Sequence, residues 1–177
     1  DNNISLEVLN LLILFSNKYS FISLRKSEGN VVENDLESNI VLNSHENLKT
    51  SDFCVLIGVN TRYEGSNLNL HLRNRFLKGN FKITSIGSVI DSNIPSTYLG
   101  LNVRTIKDMC EGNLFLCQEL LGSTNPVIIV SSEVFKRQDS ESLSQLLKTL
   151  KKTLALKFGG WDNLNVLSSS VNEMGVN

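Results

Sequence analysis

Three short stretches of this sequence hold residue types that could do chemistry: Gly58-Val59-Asn60-Thr61-Arg62, Gly87-Ser88 and Ser131-Ser132-Glu133. A glycine directly after an apolar run lets a ligand approach the backbone, and asparagine tolerates the left-handed conformation such a turn demands. Gly58-Val59-Asn60 is thus the one stretch with a cofactor-binding look, although as a motif it is weak alone. Ser88 and Ser132 offer hydroxyls, but a serine nucleophile needs a base. Only two histidines are present, His45 in a polar stretch and His71 beside Leu72 in a helical pattern, and surface or packing roles suit both. No G-x-G-x-x-G, no phosphate loop ending in Gly-Lys-Ser/Thr and no G-x-S-x-G elbow occurs. The residues nominate no catalytic group and no metal ligand.

Two further sets of residues bear on chemistry. Cys54, Cys110 and Cys117 form no recognised metal spacing, and two thiols seven apart are too few for a zinc or iron–sulphur site. Buried structural cysteines in a reducing compartment are the expectation. Arg62, Arg73, Arg75 and Lys78 concentrate positive charge on one loop and helix. A solvated face paired with Glu64 would explain them, as would an anionic ligand or an acidic neighbour. The lysines near Lys151 read as a solvated helix face.

The elements that must position these residues follow from the hydrophobic pattern. Phe53 to Gly58 is a continuous apolar run closed by glycine, as a strand buried on both faces should be. The spacing predicts a helix over Glu64 to Leu77 on Leu68, Leu72 and Phe76, then a strand over Phe81 to Ile86. A short helix follows over Val103 to Cys110, stopped by Gly112 and Asn113, and then a strand over Pro126 to Ser131. Ser140 is placed to cap a helix carrying Leu143, Leu146, Leu147, Leu150 and Leu154 on one stripe. Trp161 to Met174 reads as a final helix on Leu164, Leu167 and Val171. Upstream, Ile4 to Phe15 suggests a largely buried helix, whether on this chain or on a missing segment, and Tyr19 to Leu24 a short strand. Arg25 to Thr50 reads as a long surface loop with brief structure at Ile40 to Leu42. Strands alternating with helices select an α/β fold, a mostly parallel Rossmann-like sheet with helices on both faces. The three stretches above then fall at carboxyl ends of strands, where such sheets bind ligands.

Composition excludes several classes. A chain of 177 residues fits a single α/β domain over 1–177, and a net charge of −1 argues against a nucleic-acid coat. The uncharged run Val8 to Asn17 is too short for a membrane span of roughly 20 apolar residues and lacks the front of a secretory signal. Asn and Ser occur 22 times each while Ala occurs once, which implies an AT-rich coding sequence such as an organellar genome.

In order, Val55-Leu56-Ile57-Gly58-Val59-Asn60-Thr61-Arg62-Tyr63-Glu64 resembles a hallmark of the largest iron–sulphur subunit of respiratory complex I: strand, Gly-x-Asn-Pro-Arg, aromatic, Glu. The likeness continues through Asn69, Leu72 and Arg73, then Ile86-Gly87-Ser88 with Asp91, and Tyr98-Leu99-Gly100. Ser38-Asn39 and Leu42-Asn43 resemble a motif preceding this strand, so the likeness runs from about Asp35 to the C-terminus and more loosely to Asp1. Thr61 departs from the pattern's proline, which removes the fixed φ of that turn.

The resemblance implies part of a larger domain related to molybdopterin-dependent oxidoreductases, whose members use the Gly-x-Asn loop to hold a pterin dinucleotide. Complex I subunits keep the fold without the cofactor, so Gly58 and Asn60 are expected to form a vestigial loop that binds nothing. No cofactor is expected in this chain; iron–sulphur clusters and FMN are expected in partner chains. The implied partners are peripheral-arm subunits, including the flavoprotein and the cluster-bearing N-terminal part of the same subunit, the chain being a split or partial subunit. The implied place is the matrix-facing arm of the mitochondrial inner-membrane complex, with no direct membrane insertion. The implied role is scaffolding of NADH-to-quinone electron transfer; the alternatives are a cofactor-retaining molybdopterin or nucleotide-binding oxidoreductase domain, and a free Rossmann-like binding module.

Overall fold

β1 (Phe53–Ile57) is buried at all five positions because both of its faces are covered. Successive side chains of a strand point to opposite faces, so Phe53, Val55 and Ile57 join one apolar cluster while Cys54 and Leu56 join another. β4 (Pro126–Ser131) divides the same way, Ile128 and Val130 to the first cluster and Val127 and Ile129 to the second. With β2 (Lys82–Ile86), β3 (Thr97–Gly100) and β5 (Leu164–Leu167) these strands form a five-stranded, all-parallel sheet in the order β3-β2-β1-β4-β5. Val55 stands level with Thr84 of β2 and Ile128 of β4. This computed structural model describes residues 5–19, 44–89 and 93–167.

Parallel strands need crossovers, and the helices supply them. α3 (Ser66–Leu77) links β1 to β2 and buries Leu68 and Leu72 on the second cluster. Between β3 and β4 run α4 (Val103–Glu111) and α5 (Phe115–Gly122), and α6 (Ser140–Lys157) joins β4 to β5. All three bury their apolar sides on the first cluster, α6 through Leu143, Leu147, Leu150 and Leu154. α3 and α6 thus lie on opposite faces, and the order of strands reverses between β1 and β4. That boundary is the topological switch point, where sheets of this kind open a crevice beyond the strand ends.

At the opposite end of the sheet, α2 (Ser44–Thr50) leads into β1. Asn47 donates to Asn163 (3.1 Å), Asn163 to Asn125 (2.8 Å), and Asn125 to Thr50 (2.8 Å). Asp52 accepts from the backbone N–H groups of Thr124 (2.6 Å) and Asn125 (3.0 Å) and from the Thr124 hydroxyl (2.9 Å). Burial pushes the Asp52 carboxyl upward, but these donors outweigh it and hold it below its ordinary value. A carboxyl lowered in the folded state stabilises above its unfolded value of about 3.9, and that contribution is lost as pH falls through the folded value. Thermal midpoints are therefore expected to stay level down to about pH 4 and decline below it. Asp52→Asn should lower the level part and make the acid decline shallower, which differential scanning fluorimetry across pH will read.

Several elements differ from what the sequence suggested. The segment from Trp161 is not a helix: Leu164–Leu167 is β5, parallel to β4. Leu164 and Val166 alternate inward, and this period of two was masked by leucines that also repeat at three. Residues 168–174 lie outside the described residues. Trp161 is buried and its Nε1 donates to the Pro126 carbonyl (2.8 Å). The supposed surface loop ends in α2, whose Leu48 is buried; the proposed strand beyond Tyr19 and the structure at Ile40 to Leu42 lie outside the described residues. The upstream helix is α1 (Leu6–Lys18), capped by the Ser5 hydroxyl on the Val8 amide. Among the described residues nothing covers it, since Val8, Leu11, Leu12, Ile13, Leu14 and Phe15 are 40–65% exposed. An apolar run makes a helix without naming what covers it. Asp139, not Ser140, occupies the cap position of α6. β3 and α5 carry too short a pattern to be read as elements. Among the described residues, no helix is long and apolar enough to cross a membrane.

Candidate functional site at the ends of β1 and β4

The turn after β1 is built on glycine by necessity. Gly58 has φ +64°, and a Cβ there would lie 2.7 Å from Cγ2 of Val134. Gly87, after β2, has φ +130°, and its Cβ would meet the Gly58 Cα at 3.1 Å. The two glycines let adjacent strand ends close onto each other: the Gly58 amide donates to the Ile86 carbonyl (2.7 Å) and the Gly87 amide to the Gly100 carbonyl (2.8 Å).

From Gly58 the chain turns towards α3, and Glu64 organises the turn. The Asn60 carbonyl accepts from the amides of Tyr63 (3.2 Å) and Glu64 (2.8 Å), while its side-chain oxygen accepts from the Arg62 amide (3.3 Å). Glu64 Oε1 accepts from the Asn60 amide (3.2 Å) and Oε2 from the Ser131 hydroxyl at the end of β4 (3.0 Å). Ser131 Oγ in turn accepts from the Glu133 amide (3.3 Å), starting a 3₁₀ turn over Ser132–Lys136 that carries Val134. Thr61 is buried, 2% exposed, with its hydroxyl 3.4 Å from Asn69 Oδ1.

Gly58, Asn60, Gly87, Ser131 and Glu133 are therefore brought together at the switch point. Sequence reasoning missed the organiser, Glu64, which was placed inside the helix and stands in the turn before it. A carboxylate on a serine hydroxyl is half of a nucleophile–base arrangement. Ser131, however, is only 1% exposed, so no substrate reaches its oxygen. The histidines lie elsewhere: His71 within α3, and His45 on α2 at the amino end of the sheet rather than in a loop.

The cysteines are packed. Cys54 is fully buried, which pushes its thiol up to about 12. Cys110 is raised to about 11, by burial first and then by Cys117 and Glu111. It lies in the last turn of α4, while Cys117 lies on α5 beyond the left-handed Gly112, with its thiol donating to the Met109 carbonyl (3.3 Å). Thiols held above their ordinary value stay protonated and are poor nucleophiles. Among the described residues no group of three or more His, Cys, Asp or Glu could hold a metal ion.

The basic residues do not form one patch. Arg75 is a brace: its Nε donates to the Ser51 carbonyl (2.7 Å), its Nη1 to the Gly79 carbonyl (2.7 Å), and its guanidinium stands over the Phe81 ring at 5.3 Å. Arg62 precedes α3 and Lys78 follows it, at opposite ends of a helix about 18 Å long. Lys151 pairs with Asp162 at 2.7 Å. A hollow of about 400 Å³, lined by Asn47, Thr124, Asn125, Trp161 and Asn163 among others, opens at the amino end of the sheet, away from the Gly58 turn.

Comparison with known proteins agrees with the motif. Residues 6–177 match the molybdopterin oxidoreductase family model. The chain is 32% identical over 152 residues to the NADH-ubiquinone oxidoreductase 75 kDa subunit of Reclinomonas americana, covering 85% of this chain and 22% of that protein. It is 31% identical over 136 residues to the mitochondrial 78 kDa subunit of Candida albicans NADH-ubiquinone oxidoreductase, covering 75% of this chain and 18% of that one. To the mitochondrial NADH dehydrogenase [ubiquinone] iron-sulfur protein 1 of Solanum tuberosum it is 30% identical, with the same shares, 75% and 18%. The chain thus spans about a fifth of the length of the curated relatives it matches. With nearly its whole length matched and a parallel sheet of the expected kind, the chain belongs to the molybdopterin oxidoreductase family.

Proposed function

We propose that this chain is a structural, non-catalytic portion of a core peripheral-arm subunit of mitochondrial respiratory complex I. Its similarity to three subunits named for that enzyme supports the assembly, and the geometry at the switch point supports the non-catalytic role. In this reading electrons pass from NADH to quinone through partner chains that carry FMN and iron–sulphur clusters. The fold domain holds the cluster-bearing part of the subunit and its neighbours in register on the matrix side.

The observation that carries the non-catalytic reading is the filled turn. A pterin dinucleotide held by the Gly-x-Asn loop would have to approach the Gly58 backbone and bring phosphates to the strand end. Val134 stands against Gly58, and the Glu64 carboxylate already accepts from the Asn60 amide and the Ser131 hydroxyl. An anionic ligand would lose those donors and meet a like charge in their place. The residues present do not fit the group, and Gly58 and Asn60 form a vestigial loop in this reading.

The test is the composition of the native assembly. Isolation of the chain from its source under native conditions, followed by mass spectrometry, should return flavin-binding and cluster-binding subunits together with NADH-oxidising activity. Recovery of the chain from its source without any of those subunits would contradict the proposal in favour of a free binding module.

A further inference from the structure

We propose that Glu64 is a latch across the switch-point crevice, a resident anion that ties the end of β1 to the end of β4 where relatives of this fold leave an opening for a ligand. The two strands are hydrogen-bonded neighbours up to Ile57 and Val130. Beyond that pair their chains part, one into the Gly58 turn towards α3 and the other into the 3₁₀ turn towards α6, on opposite faces of the sheet. The Glu64 carboxylate spans this divergence with one oxygen on each side, Oε1 on the Asn60 amide and Oε2 on the Ser131 hydroxyl. Val134, in the turn after β4, stands against Gly58, 2.7 Å from where a Cβ would lie. One polar and one apolar contact, both supplied by the chain, thus cross the divergence.

This arrangement also accounts for Thr61. Without a proline to fix φ, the turn needs another restraint, and the Glu64–Asn60 contacts in both directions, carboxylate to amide and amide to carbonyl, supply one within four residues. Hydrogen bonds to a charged acceptor are roughly twice as strong as neutral ones, so one carboxylate is enough to order a short turn. The inference deepens the reading of the loop as cofactor-free and rests on it in one respect, that no ligand competes for the carboxylate. The coupling between the strand ends stands on geometry alone.

Amide hydrogen exchange on the 177-residue chain separates the two. Ser131→Ala removes a hydroxyl that does not touch Asn60, so a latch predicts that exchange at the Asn60 amide quickens about tenfold. The amides of Cys54 to Leu56 in β1 should be unchanged and serve as the internal check on folding. Glu64→Ala, made at the exposed end of the latch, should quicken exchange in both turns, and Glu64→Gln should restore part of the protection. Unchanged Asn60 exchange in Ser131→Ala would overturn the coupling. Guanosine diphosphate at millimolar concentration should leave the wild-type pattern unaltered. If it protects residues 58–62, the reading of the loop as cofactor-free is overturned, whatever Ser131→Ala shows.

Discussion

Gly87→Ala is expected to destabilise the chain by about 3 kcal/mol and to lower the thermal midpoint by roughly 9 °C. Two costs add at this position. At φ +130° an L side chain is strained, on the order of 1–2 kcal/mol. The new Cβ would also sit 3.1 Å from the Gly58 Cα and 3.2 Å from its nitrogen, which are backbone atoms that cannot rotate away. Relief requires β1 and β2 to part at their carboxyl ends, where the Gly58 amide bonds to Ile86. Gly79→Ala is the matched control: φ is +83° and nothing lies within 4 Å of its Cβ. It should cost only the backbone strain, so the difference between the two variants measures the crowding of the strand ends. Equal effects would mean that the close approach of the turns contributes nothing.

Leu147→Ala is expected to cost a comparable amount, about 3 kcal/mol, for a different reason. Leu147 is fully buried at the centre of the α6 stripe, in the apolar cluster to which β1, β4 and β5 contribute. Truncation loses the transfer energy of the removed carbons and leaves a cavity among stiff β-branched neighbours. Leu156, on the same helix, is 86% exposed, and its replacement by alanine should change the midpoint by less than about 1 °C. Thermal unfolding of both variants checks whether α6 covers the face opposite α3. A Leu147→Ala protein as stable as wild type would contradict that placement.

The fold was legible wherever one periodicity dominated. Phe53 to Ile57 and Pro126 to Val130 are apolar without interruption, as a strand buried on both faces should be, and the structure buries every one of those residues. The α6 stripe was equally plain. The errors came where two periods coincide. Leu164 and Leu167 suit a helix, while Leu164 and Val166 suit a strand, and pairing with β4 decided in favour of the strand. α1 shows another limit: its residues dictate a helix, whereas its covering surface is a tertiary matter no local pattern contains.

The site was legible in part. Gly58 and Asn60 stand out by type and by position after a buried strand. Glu64 was visible in the motif but not in its role, because its partner Ser131 lies 67 residues away and is reached only through the parallel pairing of β1 with β4. One signal was available: a carboxylate in the turn after a strand is out of place if that turn is to receive phosphates. The basic residues left a solvated face and an anion site both open for the complementary reason. Arg75 looks like part of an anion site in sequence, yet its donors are spent on the carbonyls of Ser51 and Gly79.

The proposed scaffold role of this molybdopterin oxidoreductase fold, without its cofactor, is tested most directly by the molybdenum and pterin content of the purified native assembly, per copy of this chain. Elemental analysis together with fluorescence of oxidised pterin should find neither above blank, while iron and flavin are present. Stoichiometric molybdenum or pterin would contradict the account and restore the Gly58 turn as a working cofactor site.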